Sequence, residues 1–253
     1  MSFAFSLADV ADAITLGRFR SSDLVIDTKP DRSPVTESDR AVEVAIRGAV
    51  TRSGRPEGVL GEEFGDDSRG EHRWIVDPID GTSSYLRGVP IWATLLALEV
   101  DGVVEVAVAS APALGRRWWA RRGAGAFTDG RRCTVSSVAN IADAAVSTTS
   151  QRRMPPGWFS IVQQAWTNRG LGDFWQHCLV AEGSLDLATD GDHMRIWDYS
   201  AVKLIVEEAG GRSTTLDGGE PVDRCSLLSS NGLLHDEAIR MLNGPGPVSP
   251  PSP

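Results

Sequence analysis

Trp74-Ile75-Val76-Asp77-Pro78-Ile79-Asp80-Gly81-Thr82 decides more about the fold and chemistry than any other stretch of the 253-residue chain. Trp74 to Val76 is an apolar run that reads as a buried strand. It ends on Asp77. Pro78 has no N–H for a ladder and is expected to stop the strand, and Gly81-Thr82 then opens a helix. Two carboxylates therefore stand where a strand turns into a helix N-terminus. Carboxylate oxygens suit hard cations such as Mg²⁺, and a helix start offers free backbone N–H groups to an anion. An aspartate directly after Trp-Ile-Val would otherwise be a charge at the end of a buried strand without a partner. Cation ligands beside an anion pocket are what hydrolysis of a phosphate ester needs.

The rest of the chain sets limits. It is 41% hydrophobic and 23% charged, as in globular proteins. Its formal net charge of −9 argues against nucleic acid as a partner. Residues 1–20 lack the basic start and small-residue cleavage site of a signal peptide. No apolar run approaches the roughly 20 residues of a membrane span, so no membrane association is expected. Cys133, Cys178 and Cys225 form neither a zinc pattern nor a disulfide framework, which fits a reducing cytoplasm.

Helical spacing of apolar residues predicts helices over 3–19, 36–51, 157–168, 173–181, 198–209 and 234–242. Strands are expected at 24–26, 59–60, 91–99, 103–109, 116–120, 125–128, 144–148, 184–188, 212–214 and 227–229, with Asp101-Gly102 turning a hairpin. Residues 27–34, 66–73 and 190–195 read as loops. The tail 244–253 is rich in Pro, Ser and Gly and reads as disordered. Helices, then an antiparallel run, then alternating elements indicate a layered α/β (α+β) architecture.

Five acidic positions stand at element ends: Asp39, Glu62 with Glu63, Asp77, Asp80 and Asp198. Thr36-x-x-Asp39 also reads as a capping box, Asp198 as a helix N-cap, and Glu62-Glu63 as a solvated turn. No Gly-x-Ser-x-Gly elbow exists, and Gly123-Ala124-Gly125 lacks a dinucleotide setting. His72, His193 and His235 lack metal-ligand spacing, and His177-Cys178 on an apolar helix reads as core or interface.

Glu62-Glu63, then Asp77-Pro78-Ile79-Asp80-Gly81-Thr82, then Trp197-Asp198 followed by Ile205-Val206-Glu207-Glu208-Ala209-Gly210-Gly211 resemble, in order and gaps, the signatures of the inositol monophosphatase superfamily. Within it the chain most resembles the bacterial histidinol-phosphate phosphatases of inositol-monophosphatase type. The stretches that carry this are Asp27-Thr28-Lys29-Pro30-Asp31, Pro34-Val35-Thr36, Arg87-Gly88-Val89-Pro90, Ser110-Ala111-Pro112-Ala113-Leu114 and Gly172-Asp173-Phe174.

The resemblance implies a layered αβαβα sandwich, a single catalytic domain over 1–243 with approximate halves 1–140 and 141–243, and hydrolysis of a small phosphomonoester with two or three Mg²⁺ ions, replaceable by Mn²⁺. Glu62 and Asp77 would hold one ion, with the Ile79 carbonyl and Thr82 hydroxyl. Asp77, Asp80 and Asp198 would hold the second, and a third would touch Glu62. Asp39 would hydrogen-bond Thr82, and Thr82 with Glu62 would orient the attacking water. The Gly81 and Thr82 N–H groups would meet phosphate, and Ser83 can add a hydroxyl and an N–H. Asp190, with Asp192 as the alternative, would touch the organic part of the substrate. Arg169, across a homodimer interface, and Asp173 are further substrate-side candidates, each with a plain surface or capping alternative. The family also implies inhibition by Li⁺. L-Histidinol phosphate, in histidine biosynthesis, is the expected substrate. Alternatives are inositol-1-phosphate, another sugar-alcohol or nucleotide phosphate, fructose bisphosphate, and a non-catalytic interaction protein.

Overall fold

Trp74 and Val76 enter one hydrophobic cluster and Ile75, between them, enters another. A strand whose successive side chains are all buried must be covered on both faces, and this alternation sets the layering. The computed structural model describes residues 1–28, 34–68 and 70–244. The expected disordered tail lies, from residue 245 onward, outside the described residues.

The chain begins with α1 (Ser2–Arg18), a short hairpin of β1 (Ile26–Thr28) and β2 (Pro34–Thr36), and α2 (Glu37–Arg52). There follow β3 (Gly58–Gly61), β4 (Gly65–Asp66), β5 (His72–Asp80), α3 (Thr82–Leu86), β6 (Ala93–Val100), β7 (Val103–Ala111), β8 (Arg116–Arg121), β9 (Gly125–Thr128) and β10 (Arg131–Arg132). These strands form an eight-stranded sheet in the order β10-β9-β8-β7-β6-β5-β3-β4, antiparallel except for the β3–β5 pair.

The second half comprises β11 (Ala145–Thr148), α4 (Pro156–Gln164), β12 (Thr167–Arg169), α5 (Asp173–Ala181), β13 (Leu187–Met194), α6 (Ile196–Glu208), β14 (Arg212–Thr214), β15 (Cys225–Ser230) and α7 (His235–Leu242). Its strands make a five-stranded mixed sheet, β12-β11-β13-β15-β14.

Leu7, Val42 and Ile46 of α1 and α2 cover one face of the large sheet together with Val59, Trp74 and Leu96. Phe174, Val202 and Ile205 of α5 and α6 fill the space between the two sheets, against Ile75, Leu95 and Trp118 on one side and Ala188 and Leu227 on the other. Trp158, Ile161 and Leu242 of α4 and α7 cover the far face of the small sheet over Val146, Leu187 and Leu228. The result is the expected αβαβα sandwich.

Several boundaries differ from the sequence reading. Pro78 does not stop β5, which runs on to Asp80. The missing N–H is absorbed by an irregularity: Asp77 pairs with Leu95 and Asp80 with Ala93, with a register shift between them. The helix expected over 157–168 ends at Gln164. Ala165 turns extended, and β12 joins the sheet edge parallel to β11. The loop expected at 190–195 is largely strand, with a register shift between Asp190 and Met194 where β13 pairs β15. α6 begins two residues before Asp198, so Asp198 is the third helical residue and not the N-cap.

Candidate active site

The end of β5, the start of α3, the N-termini of α5 and α6, and the shifted part of β13 meet around one cavity of about 150 Å³. Glu62, Asp77, Ile79, Asp80, Gly81 and Thr82 line it from the large sheet. Asp173, Phe174, Asp190, His193, Met194 and Asp198 line it from the second half. Asp77, Asp80 and Asp198 each present a ligand atom, and these atoms lie within 4.8 Å of one another.

Local bonding fixes each group. The Ile79 N–H donates to Asp77 Oδ1 at 3.0 Å. The Phe174 N–H, in the first turn of α5, donates to Asp80 Oδ2 at 2.6 Å. Arg195 N–H donates to Asp198 Oδ2 at 2.7 Å, where the positive end of α6 also favours a carboxylate. Gly81 has φ +83°, and a Cβ there would sit 2.9 Å from the Ile91 carbonyl and 3.2 Å from Asp173 Oδ2. Glycine thus allows both the left-handed turn into α3 and the close approach of Asp173.

The turn that follows Glu62 is held by a residue that carries no sequence signal of its own. Glu43 on α2 is fully buried. Its carboxylate accepts the Glu63 N–H at 2.7 Å, the Phe64 N–H at 3.1 Å and the Arg47 guanidinium. A Cβ on Gly61 would collide with that carboxylate, so a larger residue there would push Glu43 off the bonds it makes at the end of β3.

Crowding of carboxylates is the site's main electrostatic feature. Burial, then Glu62, Asp80 and Asp198, push Asp77 well above the usual carboxylate range. Burial and the charges of Asp173 and Asp198 do the same to Asp80. Burial raises Asp198 to about 7, and burial with Asp190 nearby raises Asp173 to about 7. A cluster of this kind is costly alone and becomes favourable around a multiply charged cation. All-oxygen donors match a hard divalent ion.

The structure does not bring every candidate into the cavity. Asp39 is buried beside it, but its Oδ2 accepts from the Thr36 N–H at 2.8 Å and the Thr36 hydroxyl at 2.6 Å. The Thr82 hydroxyl donates instead to the Ile79 carbonyl at 3.0 Å. Burial raises Asp39 to about 7 against the lowering effect of Thr36. Ser83 is exposed in the first turn of α3. Arg169 is exposed on the edge strand β12, with its guanidinium on the Asn168 carbonyl, and does not line the cavity. Asp192 is exposed, whereas Asp190 is buried and lines the cavity. Gln176, His177 and His193 also belong to the site's surroundings; no local sequence signal marks them, because their partners come from other elements.

The model of the inositol monophosphatase family matches residues 1–243. The chain belongs to the inositol monophosphatase family. A histidinol-phosphatase of Mycobacterium tuberculosis is 48% identical over 96% of this chain and 97% of its own length. One of Streptomyces coelicolor is 44% identical, covering 96% of both chains. Among solved structures, the IMPase of Thermotoga maritima superposes with a TM-score of 0.87 at 30% identity, again over 96% of both chains. This family member is therefore a phosphoric monoester hydrolase, and the carboxylate-lined cavity is its candidate catalytic centre. No helix among the described residues is long and apolar enough to cross a membrane.

Proposed function

We propose that the enzyme hydrolyses L-histidinol phosphate to L-histidinol and phosphate with Mg²⁺, as a step of histidine biosynthesis in the cytoplasm. The observation that carries the substrate choice is the excess of negative charge. Beyond Glu62, Asp77, Asp80 and Asp198, two more carboxylates, Asp173 and Asp190, line the cavity, and no lysine or arginine is among the described residues that do. Two dications would neutralise the first four. The other two call for a cationic leaving group, because a buried carboxylate without a counter-charge is costly. Histidinol carries an ammonium and an imidazole; inositol is neutral. The two histidinol-phosphatases named above support the same choice.

In this reading Glu62 and Asp77 hold one Mg²⁺ with the Ile79 carbonyl and Thr82 hydroxyl, and Asp77, Asp80 and Asp198 hold a second. Bound divalent ions supply water acidification and neutralise charge on the phosphoryl and leaving oxygens. The chain itself supplies position, which phosphoryl transfer mainly requires. N–H groups at Gly81, Thr82 and Ser83 bind phosphate oxygens, Thr82 and Glu62 orient the attacking water, and Asp173 and Asp190 receive the substrate's cationic end. Asp39 acts through its charge near Glu62. Sensitivity to Li⁺ and replacement of Mg²⁺ by Mn²⁺ belong to the same reading. The test is kcat/KM for histidinol phosphate and inositol-1-phosphate on one preparation. A ratio of about 10²-fold in favour of histidinol phosphate is expected; equal values would remove the substrate assignment, and a reversed ratio would establish the inositol ester instead.

A further inference from the structure

His177 sits on α5 with no exposed surface. Its Nε2 lies 2.9 Å from Asp190 Oδ2 and its Nδ1 2.9 Å from the Ser229 hydroxyl. The Ser229 hydroxyl is in turn 3.0 Å from that of Ser213. Gln176 Nε2 donates to the same Asp190 Oδ2 at 2.7 Å. A carboxylate only accepts, so His177 Nε2 donates to Asp190, while Nδ1 pairs with the Ser229 hydroxyl. Both side-chain donors converge on one oxygen of Asp190. The other oxygen receives neither of these bonds, and Asp190 lines the catalytic cavity.

We infer that His177 is a positioning residue for substrate selection: with Gln176 it fixes the Asp190 carboxylate so that Oδ1 is presented to the cationic end of the leaving group. This rests on the reading of Asp190 as a substrate-side carboxylate. The geometry favours it over a packing role. An imidazole is a costly filler between two sheets unless both nitrogens are satisfied, and here the pair that satisfies them runs from the small sheet's interior to the catalytic cavity. The chain from Ser213 through Ser229 and His177 sets the ring's tautomer and angle, much as outer partners orient ligating groups in other sites. A carboxylate free to rotate would offer no fixed acceptor and would discriminate less between ammonium-bearing and neutral esters.

The experiment measures kcat and KM on histidinol phosphate and inositol-1-phosphate for Asp190→Asn, His177→Leu, His177→Gln and the double variant of Asp190→Asn with His177→Leu. His177→Leu is expected to lower the ratio of kcat/KM values, cationic over neutral, by about tenfold or more, with the loss in KM for histidinol phosphate. His177→Gln, which keeps a donor toward Asp190, should recover most of the ratio. In the Asp190→Asn background, His177→Leu should add little, since both act through one contact. If His177→Leu does not fold, Ser229→Ala loosens the ring and should move the ratio in the same direction by a smaller factor. The inference is overturned if the His177 and Ser229 variants slow both substrates alike with the ratio kept, or if their effects add in full to that of Asp190→Asn. If Asp190→Asn alone leaves the ratio intact, the substrate-side reading of Asp190 falls and the inference with it. If Asp190→Asn collapses the ratio and His177→Leu does not, only the role of His177 falls.

Discussion

Asp77→Asn is expected to lower kcat/KM by about 10³-fold or more, about 4 kcal/mol of transition-state stabilisation, while raising the melting temperature of the chelated protein. The two effects have one cause. Asp77 is 2% exposed and ends a strand buried on both faces, and burial together with Glu62, Asp80 and Asp198 opposes its ionisation. Asparagine keeps an oxygen able to accept the Ile79 N–H, so the turn between Asp77 and Ile79 survives. It replaces a carboxyl whose ionisation the empty site opposes, so folding no longer has to suppress that charge, and the empty fold is stabilised. The same change removes the carboxylate proposed to be shared by both ions, and with it the charge neutralisation that phosphoryl transfer needs. Activity by phosphate release and melting by calorimetry, with and without chelator, check both halves. Near wild-type turnover in Asp77→Asn would remove Asp77 from the catalytic centre.

The second large effect is the response of the chelated protein to pH. Asp39, Asp173 and Asp198 titrate near 7 in the folded chain and near the ordinary carboxylate value when unfolded. Between those values the folded state binds more protons, so stability falls as pH rises through that window and stays low above it. A melting temperature lower by on the order of 5 °C at about pH 8 than at about pH 5 is expected for the chelated protein. Saturating Mg²⁺ should flatten the profile, because cations bind the deprotonated carboxylates and compete with protons. The thermal shift caused by Mg²⁺ should therefore grow with pH. A chelated protein that becomes more stable as pH rises, with a Mg²⁺ shift independent of pH, would contradict the electrostatic description of the site.

Much of this centre was legible in the sequence because its signals are local. Asp77, Asp80, Gly81 and Thr82 lie within six residues, where an apolar run, a proline and a glycine punctuate one strand-to-helix turn. The element pattern gave a layered α/β architecture, and the order of the layers came only with the family resemblance. What was not legible depends on partners far along the chain. Glu43 looks like one more charge on a helix, yet it carries the N–H groups of Glu63 and Phe64. His177 reads as an apolar-face histidine until Asp190 and Ser229 are brought against it. Residues 190–193 are too polar to read as a buried strand; Asp190 and His193 line the catalytic cavity, where function overrides the usual pattern. The helix over 157–168 failed for a different reason. Helical spacing continues through Ala165, but the backbone there turns extended, and edge pairing with β11 captures Thr167 to Arg169. The expected bond between Asp39 and Thr82 gave way to a nearer partner, since the capping box offers Asp39 both the N–H and hydroxyl of Thr36 three residues away.

Asp77, Asp80 and Asp198, with Glu62, are proposed to form a cage for divalent ions in a phosphomonoesterase. Anomalous diffraction from a crystal soaked in Mn²⁺ tests it most directly. The expected result is strong anomalous density among Asp77, Asp80 and Asp198, adjoining Glu62. Density elsewhere on the molecule, with none among these carboxylates, would contradict the account.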